Sequence, residues 1–174
     1  MTASFVSPSQ AHPDLPRRRG PGLLFWLGIV VLALLACDND PDPGDLPAEW
    51  AGATSVPVTQ SACGGDPVTS PPHPRLELSA GASALTGVYK EAQFRCGDQK
   101  LCGYALDSAQ TAKVLIQPCE MRPTTVARCD CLYEVTFSLT PHSGRNKVEL
   151  WSRRDLYGAT GPVNATQVDQ QPVP

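Results

Sequence analysis

Seven cysteines are the residues of this 174-residue chain best equipped for chemistry. Six of them, Cys63, Cys96, Cys102, Cys119, Cys129 and Cys131, fall between residues 63 and 131, while Cys37 stands apart at the end of an apolar run. Thiols so placed can bridge, hold a metal or exchange electrons, and spacing separates these uses. No C-x-x-C pair occurs, which removes the thioredoxin-type and c-type haem patterns and argues against zinc. An even count of six in a small domain matches a disulfide framework, provided the domain leaves the cytoplasm. No metal and no cofactor is expected.

Other catalytic residue types are sparse. His12 precedes the apolar run, His73 lies in "SPPHPR" and His142 in the turn-like "TPHSGRN". A hydrolase would have to use His142 with Ser138 or Ser143, yet no nucleophile elbow G-x-S-x-G is present. Gly-rich phosphate loops are absent as well. Asp38, Asp40, Asp42 and Glu49 mimic a calcium loop, but Pro43 occupies the place where that loop needs glycine. The segment "WSRRDLY" collects Trp151, Arg153, Arg154 and Tyr157, residue types enriched at binding hot spots, and is the expected partner surface. With 14 basic against 17 acidic residues, the chain carries no general nucleic-acid signature.

The elements that must position these groups are strands. In "ARCDCLYEVTFSL" Cys129, Cys131, Tyr133, Val135, Phe137 and Leu139 alternate with mostly polar residues, which predicts a strand with both cysteines on its buried face. A turn at Pro141, Gly144 and Asn146 leads to "KVELWSRRDLY", so residues 129–157 are expected to form a hairpin. "RLELS" alternates through Leu76 and Leu78. "GVYKEAQFRC" places Val88, Ala92, Phe94 and Cys96 together, with Lys90 breaking the pattern. "LCGYALDS" groups Cys102, Tyr104 and Leu106, "AKVLIQPC" is a short apolar strand, and "DSAQTAKVL" has a helical turn as its alternative. The sum is a mainly β domain, a small antiparallel sandwich or barrel with about three disulfides. Cys129 and Cys131 lie too close along one strand to bridge each other. "CGDQKLC" resembles a hairpin turn joining Cys96 to Cys102, which leaves Cys63 and Cys119 to pair with Cys129 and Cys131 in either order.

Composition sets the boundaries. Twelve of the 18 prolines precede Arg75, and only Pro118, Pro123 and Pro141 fall between there and Tyr157. Residues 75–157 are therefore the expected domain, residues 37–74 an acidic Pro-rich tether, and residues 158–174 a disordered tail. At the start, "RRR" (17–19) precedes the 15-residue apolar run Gly22–Ala36. A bilayer-spanning helix needs roughly 20 residues, so residues 1–36 have the layout of a signal peptide.

The boundary "LLAC" (Leu34, Leu35, Ala36, Cys37) resembles the lipobox of bacterial lipoprotein precursors. The resemblance covers residues 1–37. It implies cleavage before Cys37, a diacylglycerol on its thiol, and attachment to the inner or outer membrane with the domain outside the cytoplasm. Two or three acyl chains hold a protein stably where one binds marginally. The expected protein is a non-enzymatic envelope lipoprotein that binds or scaffolds an envelope protein or polymer. A secreted-enzyme inhibitor with a rigid loop at 140–147 and a His142 hydrolase are its alternatives.

Overall fold

The computed structural model describes residues 46–141, 143–160 and 163–174. The signal-like segment 1–36, Cys37 and His142 lie outside them. Nine strands follow in order: β1 (Thr54–Val56), β2 (Val58–Gln60), β3 (Arg75–Ala80), β4 (Leu85–Arg95), β5 (Leu101–Asp107), β6 (Thr111–Pro118), β7 (Asp130–Leu139), β8 (Lys147–Ser152) and β9 (Thr166–Pro172). They form a five-stranded sheet, β1-β5-β6-β8-β9, and a four-stranded sheet, β2-β7-β4-β3. All neighbours are antiparallel except β6 and β8, which run parallel. The domain is mainly β, a small sandwich stapled by disulfides, as its alternation predicts.

The core fills the space between the sheets. Leu85, Tyr89, Phe94, Val135 and Phe137 of the four-stranded sheet meet Val114, Ile116, Val148 and Leu150 of the five-stranded one. Period-two alternation produces this, because each strand turns one face inward. A second, smaller cluster lies on the outer face of the five-stranded sheet. There Trp50, from a 3-10 turn at Ala48–Trp50, packs with Tyr104, Leu115 and Trp151.

Two links close the sandwich at its edges. β1 and β2 are one extended stretch that changes sheets at Pro57: Val56 pairs with Gly103 of β5, and Val58 with Phe137 of β7. Gly103 permits this crossing, since a Cβ there would collide with the side chains of Val56 and Val58. At the opposite edge Asp169 of β9 accepts a 2.7 Å hydrogen bond from the Leu76 N–H of β3.

Several expectations need correction. β7 and β8 are not a hairpin: they lie in different sheets, because β7 already pairs on both sides with β2 and β4. The chain therefore ends β7 in one layer at Leu139 and enters β8 in the other at Lys147. Residues 166–172 of the expected tail are β9, an edge strand held by β8 and ending at Pro172, which suits an edge because it lacks an N–H. Part of the expected tether, 54–60, likewise belongs to the sheets. "DSAQTAKVL" is the β5–β6 turn and strand rather than a helical turn.

On β4 the inward residues are Leu85, Gly87 and Tyr89, then Ala92 and Phe94. A bulge between Tyr89 and Ala92 reverses the parity, so Val88 faces outward instead of joining Ala92 and Phe94. Cys131 is buried as expected, but Cys129 precedes β7 and is exposed.

The bridges are Cys63–Cys131, Cys96–Cys129 and Cys102–Cys119, with Cα separations of 5.6, 5.5 and 5.0 Å. Cys63 takes one of the two partners left open for it. Cys96 does not pair with Cys102, because "CGDQKLC" carries the chain between sheets that pack about 10 Å apart. Three disulfides in a domain this small point to an oxidising compartment outside the cytoplasm. Among the described residues no helix is long and apolar enough to cross a membrane.

Candidate functional site

The β4 bulge decides which side chains reach the surface. Had alternation continued unbroken from Leu85, Gln93 and Arg95 would point into the core. The extra residue turns them outward instead, onto the exposed face of the four-stranded sheet. Glu91 in the bulge has φ +55°, a conformation that costs a non-glycine residue of order 1 kcal/mol. Its carboxylate holds the geometry, accepting the His73 N–H at 2.6 Å and pairing with Arg75 at 3.3 Å. The His73 N–H first, and then Arg75, hold the Glu91 carboxyl below the ordinary carboxylate range.

Those same contacts fix one end of a strap, residues 63–73, that crosses the outward face. Cys63–Cys131 fixes the other end. Just inside that end, Gly64 N–H donates to Leu132 O and Leu132 N–H to Gly65 O. Asp66 then turns the chain by accepting the Val68 N–H at 2.8 Å.

Between strap and sheet opens a cleft of about 570 Å³. Pro67, Val68 and Pro72 of the strap form an apolar wall, and Val68 is 87% exposed on the rim. Gln93 and Arg95 of β4 and Asp130 of β7 also line it, and Asp66 of the strap, Arg128, Cys129 and Arg154 complete it.

Three guanidinium groups converge here, and they are engaged unequally. Arg95 pairs with Asp155 at 2.8 Å and lies 5.9 Å from the Tyr157 ring centroid. The Asp155 side chain is only 3% exposed and also accepts the Tyr157 N–H. Arg154 pairs with Asp130 at 2.7 Å, and that carboxylate accepts from Gln93 Nε2 as well. Arg128 is exposed and has no ion-pair partner among the described residues. The cleft thus offers one free guanidinium beside an exchangeable ion pair and an apolar wall. That arrangement suits an anionic group carried on a partly apolar ligand.

The four residues singled out in "WSRRDLY" divide. Arg154 and Tyr157 belong to the cleft and its margin. Trp151 sits on the other sheet, edge-on to Trp50 with centroids 6.2 Å apart, under the Lys113 ammonium. Arg153 turns inward, 8% exposed, with its Nε donating to Val163 O at 2.6 Å. Arg95 and Arg128 escaped the sequence reading. The one trace they left was Lys90, whose break in the alternation marks the bulge that turns Arg95 outward.

Among the described residues no group of three or more His, Cys, Asp or Glu is placed to hold a metal ion, and the six cysteines are consumed in bridges. Comparison with known proteins returned no matching family model, no matching curated protein and no matching solved structure.

Proposed function

We propose that this chain is a lipid-anchored lipoprotein of the bacterial cell envelope, held to the membrane through Cys37. Its β domain is a non-enzymatic module that binds another envelope protein or polymer. The observation that carries the binding half is the convergence of Arg95, Arg128 and Arg154 on one cleft, with Arg128 left unpaired among the described residues. The anchoring half rests on "LLAC" and is supported by the oxidising compartment that three disulfides require.

Intact mass of the protein isolated from membranes tests the anchor. The expected chain starts at Cys37, carries acyl mass and gains six hydrogens on reduction; an unacylated chain retaining Met1 refutes it. A photo-crosslinker at Val68 tests the binding. It is expected to give a discrete adduct in cells that disappears with Arg154→Ala while the circular dichroism is unchanged. An adduct indifferent to Arg154→Ala removes the cleft from the reading.

One observation favours a second reading, inhibition of a secreted enzyme. Within the expected loop 140–147, Arg145 is 8% exposed, donates to Thr140 O at 3.0 Å and pairs with Asp107. A stoichiometric complex that is lost when residues 140–147 are replaced by glycine and serine distinguishes it.

A further inference from the structure

The three disulfides differ in what a thiol can reach and in what must leave. In Cys63–Cys131 the Cys131 side of the bridge is 2% exposed in the apolar core. Attack at exposed Cys63 would expel a thiolate into low dielectric, where the charged form is disfavoured and departs slowly. In Cys102–Cys119 both residues are half-buried, between the paired strands β5 and β6.

Cys96–Cys129 is unlike either. Cys129 is exposed and lines the arginine cleft, and Cys96 is half-buried at the end of β4. Each cysteine follows an arginine directly, Arg95 or Arg128, and Arg154 lines the same cleft. Arg95 and Arg154 are paired to Asp155 and Asp130, and Asp66 is a further carboxylate in the lining. Arg128 is the cation of the three with no ion-pair partner among the described residues. An uncompensated cation near a disulfide draws in anionic thiolates and stabilises the thiolate that leaves. The fold does not rest on this bond alone: with it closed, β4 and β7 pair from Leu85–Leu139 to Arg95–Asp130, and the Cys96 N–H donates to Cys129 O at 3.0 Å.

We propose that Cys96–Cys129 is a thiol–disulfide exchange site, selective for anionic low-molecular-weight thiols and independent of what the cleft otherwise binds. The incoming thiolate attacks Cys129 Sγ and forms a mixed disulfide there. The Cys96–Cys129 S–S bond breaks, and Cys96 leaves as a thiolate that takes a proton from water. A second thiolate then attacks the small-molecule sulfur of that mixed disulfide. This releases the oxidised small-molecule disulfide and frees Cys129. Opening removes the covalent tie on the segment that carries Arg128. That segment then hangs between Met121, 1% exposed and bonded through its carbonyl to Leu156 N–H, and the start of β7. The place of Arg128 in the cleft thereby depends on the state of this bond.

The test uses the full oxidised chain without denaturant. It is exposed to glutathione, which is anionic even before its thiol ionises, or to dithiothreitol, whose only charge is its reacting thiolate, then alkylated and mapped by peptide mass. Cys96 and Cys129 are expected to be modified first, about tenfold ahead of the other four, with glutathione found on Cys129. Arg128→Ala is expected to slow the glutathione reaction about 2–5-fold at low salt and the dithiothreitol reaction by less, since only the reacting thiolate of dithiothreitol is charged, and Arg128→Lys to restore the rate. First opening at either other bridge overturns the proposal, as does opening of all three together with loss of circular dichroism. Equal effects of Arg128→Ala on both reagents overturn its selectivity for anions.

Discussion

The two outer faces of the sandwich obey different rules. On the five-stranded sheet the outward residues include Cys102, Tyr104, Leu106, Leu115 and Trp151, and the chain 46–53 folds over them with Trp50 buried at 2%. On the four-stranded sheet the outward residues include Arg75, Glu77, Lys90 and Glu134, joined by ion pairs at 2.7–4.0 Å and left to water. An apolar face demands a cover, because each uncovered Å² costs about 25 cal/mol. Exposed ion pairs demand none and contribute little. The second face is therefore free to host a strap and a cleft, and the first is not.

The largest test of that contrast is Trp50→Ala, expected to cost about 3–5 kcal/mol in urea unfolding. Lys90→Ala on the other face is expected to cost less than about 1 kcal/mol. Similar losses at both positions would erase the distinction.

Next come the staples. Cys63→Ser with Cys131→Ser releases a separation of 68 residues and is expected to cost about 4 kcal/mol. Cys102→Ser with Cys119→Ser releases 17 and is expected to cost about 3 kcal/mol. Thermal unfolding that ranks them the other way would show that native packing, not chain entropy, sets their worth.

Smaller effects separate core from surface by pH. Burial raises the phenol of Tyr89 above its ordinary 10.0, against lowering contributions from Ser152 and Arg154, and burial raises Tyr133 too. A group whose folded pKa is raised stabilises the fold below the unfolded value and loses that contribution as pH climbs past it. Stability is therefore expected to decline above about pH 10, and Tyr89→Phe to flatten that alkaline limb. A limb of the same slope in Tyr89→Phe would refute the assignment.

Glu91 on the outward face has the opposite sign. Its lowered carboxyl stabilises above the ordinary 4.5 and loses the contribution as pH falls below that value. Glu91→Gln is expected to reduce the acid dependence slightly while leaving the alkaline limb alone. An unchanged acid limb would mean that the bulge does not depend on this carboxylate.

Legibility followed burial contrast. β7 and β8 were readable because Val135, Phe137, Val148 and Leu150 face the core and their neighbours do not. β9 was not, because "TQVDQQP" has only Val168 as an apolar residue and is a strand by virtue of the hydrogen bonds β8 lends it. Trp50 was hidden in a proline-rich setting that resembles a tether. In β4 the alternation was visible on both sides of the bulge, but its phase changes there, which misplaced Val88 and concealed Arg95. Of the four residues expected at a partner surface, Arg154 lines the cleft and Tyr157 lies at its margin, while Trp151 and Arg153 face other neighbours.

By itself the sequence determined the mainly β class, the disulfide framework, and the local alternation of most strands. Each of these depends on residue type and near-neighbour spacing, which burial acts on directly. Only the tertiary structure decided which cysteine meets which, which sheet each strand joins, and that three arginines distant in the chain share a cleft. Those outcomes depend on the path between layers and on a single inserted residue in β4, and no local pattern encodes where a strand's partner will come from.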